Sequence, residues 1–200
     1  MHKFHSYCIS ASGEERGDGD FDARFPYWSF TKTTTAICAL KLSENGFVDL
    51  DCCIDGAAYT LRQLLNHTAG LPDYGALKAY HAAVAAGEQP WSREKLLSAA
   101  LAKGMLFAPG EGWSYSNVGY MLAREHIEAA SGLDFAQLVA DIITTPLGLT
   151  SVSQVTTREQ FAELHCEAAG KYHPGWVYHG CLAGNVRDAA RLLHGLFTGK

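Results

Sequence analysis

The sequence predicts an α+β fold, a mainly helical body carrying a small antiparallel sheet, on three observations. Helical spacing of apolar residues, with helix caps, runs through most of the chain after residue 29. Recognisable β-prone runs are confined to the N-terminal part, at 4–11 and 21–28. Hydrophobic residues make up 48% and charged residues 18% of the 200, the composition of an ordinary globule with a sizeable core. The chain reads as a single domain over 1–200. Its sheet-side part with the first long helix spans 1–58, a mainly helical part spans 59–182, and 183–200 returns toward the sheet.

Taken in order, the Gly- and Asp-rich stretch 13–20 reads as the turn between the two candidate strands. Asp18, Asp20 and Asp22 alternate like a calcium loop, but Ala23 stands where that loop needs glycine and Ser29 where it needs glutamate. A helix is expected from Ser29 to about Glu44, with Phe30, Ile37 and Leu40 near one side and Asn45-Gly46 as its stop. Its apolar and small residues predict burial on most sides. Thr60 caps a short helix at 61–66. Further helices fit 73–86, 92–103 with Gly104 as stop, 118–131, 134–145 and 186–197. Asp134 with Gln137 and Asn185 with Asp188 resemble capping starts, and Pro146 predicts a stop. The Gly- and aromatic-rich segment 107–117 has no helical period and reads as a loop.

A formal net charge of −5, with scattered basic residues, offers no track for a phosphate backbone, which excludes nucleic acid as a partner. No apolar run approaches the eighteen or so residues that span a bilayer, and the first residues lack the apolar core of an export signal. The chain is therefore read as soluble and cytoplasmic, with no membrane partner. Its six cysteines are scattered without C-x-x-C spacing, as expected of free thiols in a reducing compartment. The oligomeric state is left open.

The chemistry is concentrated in Ser29-Phe30-Thr31-Lys32. Three residues apart on a helix, a hydroxyl and an amine share one face. An amine held close and partly desolvated loses its proton more readily, and can then take the serine proton. The start of the helix favours negative charge developing near Ser29. The spacing alone is weak, since Ser92-Arg93-Glu94-Lys95 repeats it where an N-cap explains it. A second element is Tyr115-Ser116-Asn117 on the loop before a helix. A phenol beside an ammonium can shuttle a proton, and a carboxamide can donate to a substrate carbonyl and accept from the lysine. Its alternative is a packed tyrosine with Asn117 as helix cap. His67, at a helix end, fits a hydrogen-bonded structural role better than that of a base.

Ser29-Phe30-Thr31-Lys32, Leu64-Leu65-Asn66-His67-Thr68-Ala69-Gly70-Leu71-Pro72, Pro109-Gly110-Glu111-Gly112-Trp113-Ser114-Tyr115-Ser116-Asn117-Val118-Gly119-Tyr120 and Pro146-Leu147-Gly148-Leu149 follow the order and wording of one family. Over residues 25–200 or so, the chain resembles the serine β-lactamase-like superfamily, in the branch of class C β-lactamases, D-alanyl-D-alanine carboxypeptidases and related esterases. Residues 183–190 resemble that branch's Gly-rich turn into a helix. The resemblance implies acyl transfer to a small-molecule substrate without metal or organic cofactor. Ser29 would attack a carbonyl, Lys32 and Tyr115 would manage its proton, Asn117 would orient the bound amide or ester, and the Ser29 backbone N–H would supply half of an oxyanion hole.

Two departures bear on this. The family's third signature, Lys or His followed by Thr or Ser and Gly, belongs on a strand after the segment matched at 183–190, and the sequence ends at Lys200 before it; His173-Pro174-Gly175 precedes that segment and reads as an aromatic-rich loop with Trp176 and Tyr178. The family's five-stranded sheet is also incomplete, with about two strands recognisable. The expectation is a piece of a longer protein, against a sheet completed by a second chain or a reduced fold. Lacking the second oxyanion donor, worth about 10²–10³ in rate, it would have weak or no activity alone. The competing reading is a non-catalytic penicillin-binding-like ligand-binding module or an inactive fragment. An α/β-hydrolase is disfavoured because Gly112-Trp113-Ser114-Tyr115-Ser116 lacks a closing glycine. Trp28, Tyr74, Trp113 and Trp176 are candidates to wall a cleft.

Overall fold

The computed structural model describes residues 4–54 and 56–199. Its elements in chain order are β1 (Ser6–Ile9), β2 (Glu15–Asp18), β3 (Phe25–Pro26), α1 (Thr31–Glu44), α2 (Leu61–Leu65), α3 (Lys78–Ala85), α4 (Arg93–Ala100), α5 (Asn117–Ser131), α6 (Phe135–Val139), α7 (Thr145–Leu147), β4 (Ser153–Gln154), α8 (Arg158–Ala162), β5 (Leu182–Gly184) and α9 (Val186–Thr198). Helices and small antiparallel sheets make a mixed α+β architecture. No helix of the described residues is long and apolar enough to cross a membrane.

The strands form an antiparallel β1-β2 hairpin and a three-stranded antiparallel sheet of order β3-β5-β4. In the latter Pro26 pairs with Ala183 and Ser153 pairs with Ala183 from the other side. β3 is an edge strand, which suits proline because its missing N–H costs no ladder bond there. Arg24 ties the three strands: its guanidinium donates to Ser151 O at 3.0 Å, Ser153 Oγ at 2.6 Å and Ala183 O at 3.4 Å. β5 is buried on both faces. Leu182 joins the main core with Leu64, Val118, Met121, Phe135 and Trp176, while Cys181 and Ala183 join a smaller cluster with Val155, Phe161 and Val177. Full burial of one Leu or Phe side chain stabilises by about 1.5–3 kcal/mol, so both clusters anchor this strand.

α1 follows a 3₁₀ turn over Trp28–Phe30 and ends at Asn45, with Gly46 at φ 77°. The expectation that this helix is buried on most sides needs correction. Its buried face is Thr31, Lys32, Thr34, Thr35, Cys38, Ala39 and Leu42, while Leu40 is 45% exposed. Threonines can line a core here because their hydroxyls are bonded: Thr34 and Thr35 donate to Thr31 O at 2.7 and 3.4 Å, and Thr31 Oγ1 accepts from Leu182 N at 3.1 Å. Ile37 and Leu40, with Leu147, Leu192 and Leu196, line an open groove of about 630 Å³ on the other side.

Other expectations also shift. The stretch 13–20, expected as a turn, contains β2, whose residues are all exposed and paired edgewise to β1. The expected helix at 73–86 is a 3₁₀ turn (Tyr74–Ala76) and then α3, split by Leu77 in extended conformation. Pro146 does not stop the sixth helix: after a π-helical stretch over Ala140–Thr144, it sits in the first turn of α7, and Gly148 at φ 64° ends the run. The capping readings at Thr60, Ser92, Asp134 and Asn185 are found, each side chain accepting from the backbone N–H three residues on. All six cysteines are free.

Candidate active site

Ser29 lies in the 3₁₀ turn that leads into α1, directly after Trp28, whose φ of 44° is one of two positive values among non-glycine residues described. A bulky residue in the left-handed region is strained by roughly 1–3 kcal/mol and is held there by its surroundings, here the edge of the sheet. The Tyr27 N–H donates to Leu182 O at 2.7 Å and its phenol to Asn185 O at 2.9 Å. The serine hydroxyl is thereby exposed at the rim while Lys32, one turn on, is 5% exposed.

Loop 107–116 brings Tyr115 to this rim and is held from below by the segment after α2. There His67 takes φ 65°, accepts from Ser116 N through Nδ1 at 3.2 Å and stacks against the Tyr115 ring at 4.6 Å between centroids. The His67 carbonyl accepts from Ser114 N at 3.0 Å, and Ser116 Oγ donates to Pro72 O at 3.1 Å. Ser116, not Asn117, caps α5 by accepting from Gly119 N at 3.0 Å. That leaves the Asn117 side chain free for Lys32, while its backbone N–H donates to Asp73 Oδ1 at 3.0 Å.

The four sequence-singled residues meet. Ser29 Oγ and Tyr115 OH are 2.8 Å apart, and Lys32 Nζ donates to Asn117 Oδ1 at 2.7 Å and Ser29 Oγ at 3.4 Å. Tyr115 OH donates to Asn117 Oδ1 at 3.4 Å. The lysine also lies 5.0 Å from the Tyr115 ring centroid and 5.6 Å from that of Tyr120. Burial lowers the Lys32 amine to about 8, with Asp73 opposing the fall. Burial raises the Tyr115 phenol, partly offset by its bond to Ser29. His67 is lowered by burial and by the nearby lysine, which keeps Nδ1 an acceptor.

A cleft of about 210 Å³ adjoins Ser29, with Trp28, Tyr74, Tyr172, Trp176 and His179 among its lining. Three of the four candidate aromatics are there. Trp113 is not: it is 66% exposed and faces the His67 ring at 5.9 Å. The sequence reading missed His179, whose Nε2 lies 3.2 Å from Lys32 Nζ, and Asp73, which anchors the start of α5. Asp73 directly follows the Leu71-Pro72 end of a quoted motif, a signal that could have found it. His179 has no such local pattern.

This architecture is that of the β-lactamase and penicillin-binding-protein class of folds. It superposes on a D-stereospecific amidohydrolase from Streptomyces sp. with a TM-score of 0.82 at 25% identity, covering 98% of this chain and 68% of that one. More narrowly, a sequence model of the family described as Beta-lactamase matches residues 7–198, and the chain belongs to that family. Penicillin-binding protein 4* of Bacillus subtilis (strain 168) is 32% identical over 183 residues, 87% of this chain and 39% of that protein. The D-alanyl-D-alanine-carboxypeptidase/endopeptidase AmpH of Escherichia coli (strain K12) is 30% identical over 149 residues, 68% of this chain and 38% of that protein. The chain thus spans well under half the length of these two relatives.

Proposed function

We propose that this chain carries the acylating centre of a serine hydrolase acting on small esters or amides, of esterase, D-alanyl-D-alanine carboxypeptidase or β-lactamase type. The observation that carries it is the convergence of Ser29 Oγ, Lys32 Nζ, Tyr115 OH and Asn117 Oδ1 through contacts of 2.7 to 3.4 Å. A neutral Lys32 amine accepts the Ser29 proton as Oγ adds to the substrate carbonyl. The Ser29 backbone N–H faces the developing oxyanion. Tyr115, bonded to the same hydroxyl, gives its phenolic proton to the leaving group and is reprotonated with the proton that Lys32 took from Ser29, and Asn117 orients the bound amide or ester. Water then cleaves the acyl-enzyme. An amine lowered to about 8 keeps a useful neutral fraction at neutral pH. The names of the relatives, a carboxypeptidase and a penicillin-binding protein, support the same chemistry.

The test is turnover of a p-nitrophenyl ester and labelling by a fluorescent penicillin, in the wild type and in Ser29→Ala. Turnover and labelling that both vanish in the variant support the hydrolase. Reversible penicillin binding without turnover or covalent labelling in the folded wild type supports a non-catalytic binding module instead.

A further inference from the structure

His179 sits between Tyr178 and the glycine that leads into β5, 4% exposed, and no step above uses it. Its Nε2 is 3.2 Å and its Nδ1 3.5 Å from Lys32 Nζ, and Nε2 is also 3.5 Å from Trp28 O. The nearer nitrogen, Nε2, is unprotonated when the ring proton is on Nδ1, and in that tautomer it accepts from Lys32; with the proton on Nε2 the ring donates to Trp28 O and only the longer Nδ1 contact is left to the amine. Burial and the neighbouring lysine lower the imidazole to about 3, so it is an acceptor throughout the working range.

The neutral amine of Lys32 has two N–H donors and one lone pair. Among the described residues its hydrogen-bond partners are Asn117 Oδ1, His179 and Ser29 Oγ. Asn117 Oδ1 and the unprotonated imidazole nitrogen can each take one N–H. The lone pair is then left facing the serine. Resting on the acyl-transfer reading above, we infer that His179 is a positioning residue, taking one N–H of Lys32 and so turning the amine's lone pair toward the Ser29 hydroxyl.

The groups that surround this pair are Asp73 from the loop before α3, His67 and Tyr115 at the rim, and Tyr120 and Arg124 on α5. Of these, Asp73 by its charge and the Tyr115 and Tyr120 ring faces favour the charged lysine, and an acceptor at position 179 is a further, separate support for the ammonium. Removing it makes two changes of different kind. The ammonium loses a hydrogen bond, which lowers the lysine midpoint, and the neutral amine loses one of its fixed acceptors, which frees it to rotate.

The experiment uses the full chain and its His179→Leu, His179→Met and His179→Gln variants. NMR of ¹³C-labelled lysine follows Lys32 through its titration, and fluorophosphonate labelling of Ser29 is timed against pH. Leu or Met is expected to shift the Lys32 midpoint down by about one unit. The same variants are expected to cut the high-pH plateau of labelling about tenfold, whereas Gln, which keeps an acceptor, restores both. A merely structural role would not move the midpoint and the plateau in this combination. An unchanged midpoint in folded Leu or Met variants, an unchanged plateau, or a Gln variant as impaired as Leu would overturn the inference. If one apolar variant does not fold, the other and Gln make the same comparison. Because the titration is read without turnover, failure of the hydrolase reading, seen as no labelling of the wild type, is distinguishable from failure here.

Discussion

Lys32 Nζ and Asn117 Oδ1 lie 2.7 Å apart across 85 positions of sequence, joining α1 to the first residue of α5. The carboxamide can serve the lysine because Ser116 has taken over the cap of α5. Asn117→Leu removes an acceptor for a charged group, an interaction of about 1.5–3 kcal/mol. Fluorophosphonate labelling of Ser29 is expected to slow about ten- to a hundredfold in a chain whose circular dichroism is unchanged. Labelling at the wild-type rate would show that this bond does not serve the chemistry.

Lys32 also predicts a pH signature. Its folded pKa of about 8 lies below its ordinary value of 10.5, so between those limits the unfolded chain binds more protons than the folded one. Stability contributed by this residue therefore rises with pH through that window and is at its lowest below about pH 8. Lys32→Met removes the dependence. Thermal midpoints measured from pH 7 to 10.5 are expected to converge on the variant's from below, or to pass them, as pH rises; parallel profiles would contradict the assignment. Labelling of Ser29 rises through the same pH of about 8 as the amine becomes neutral.

Gly70, in the segment that underlies Tyr115, has φ 76°, and a Cβ built there would lie 2.1 Å from Phe107 O. The glycine lets loop 107–116 lie directly on the chain after α2, with Leu106 N donating to Gly70 O at 2.8 Å. Gly70→Ala combines a left-handed backbone with a clash against backbone that has little room to move. A loss of more than about 2 kcal/mol in urea unfolding is expected. A loss within 0.5 kcal/mol or so, typical of an ordinary surface change, would mean the loop is free to lift.

Asp188 in α9 is 2% exposed and accepts from Ser151 N at 2.8 Å and Ser151 Oγ at 2.7 Å, tying α9 to the chain before β4. Asp188→Ala leaves two half-buried donors of Ser151 without this partner and is expected to cost about 1–3 kcal/mol. Asp188→Asn keeps one acceptor and should cost less; equal losses in the two variants would contradict this account.

Legibility in the sequence followed the range of the interactions. Ser29 and Lys32 share a helical face by spacing alone, Tyr115 and Asn117 stand out on a loop, and the caps at Thr60, Asp134 and Asn185 are three-residue patterns. His179 could not be found that way, because only the return of the chain at β5 brings its ring to Lys32, 147 positions away. β4 and β5 were missed because they are two and three residues long, and β5 is buried on both faces without alternation. β2 was misread because Glu15–Asp18 is wholly polar and exposed, so only its pairing with β1 makes it a strand. Leu40 was expected inside, yet the threonines of α1, with their hydroxyls bonded, occupy the core in its place.

The most direct test is intact-mass and peptide-mapping analysis of the chain after treatment with a fluorophosphonate. A single adduct on the peptide that carries Ser29, absent from Ser29→Ala and slowed in Lys32→Met, is the predicted result. A folded wild-type chain that gains no mass, or gains it on another residue, would contradict the proposal that Ser29 is the nucleophile.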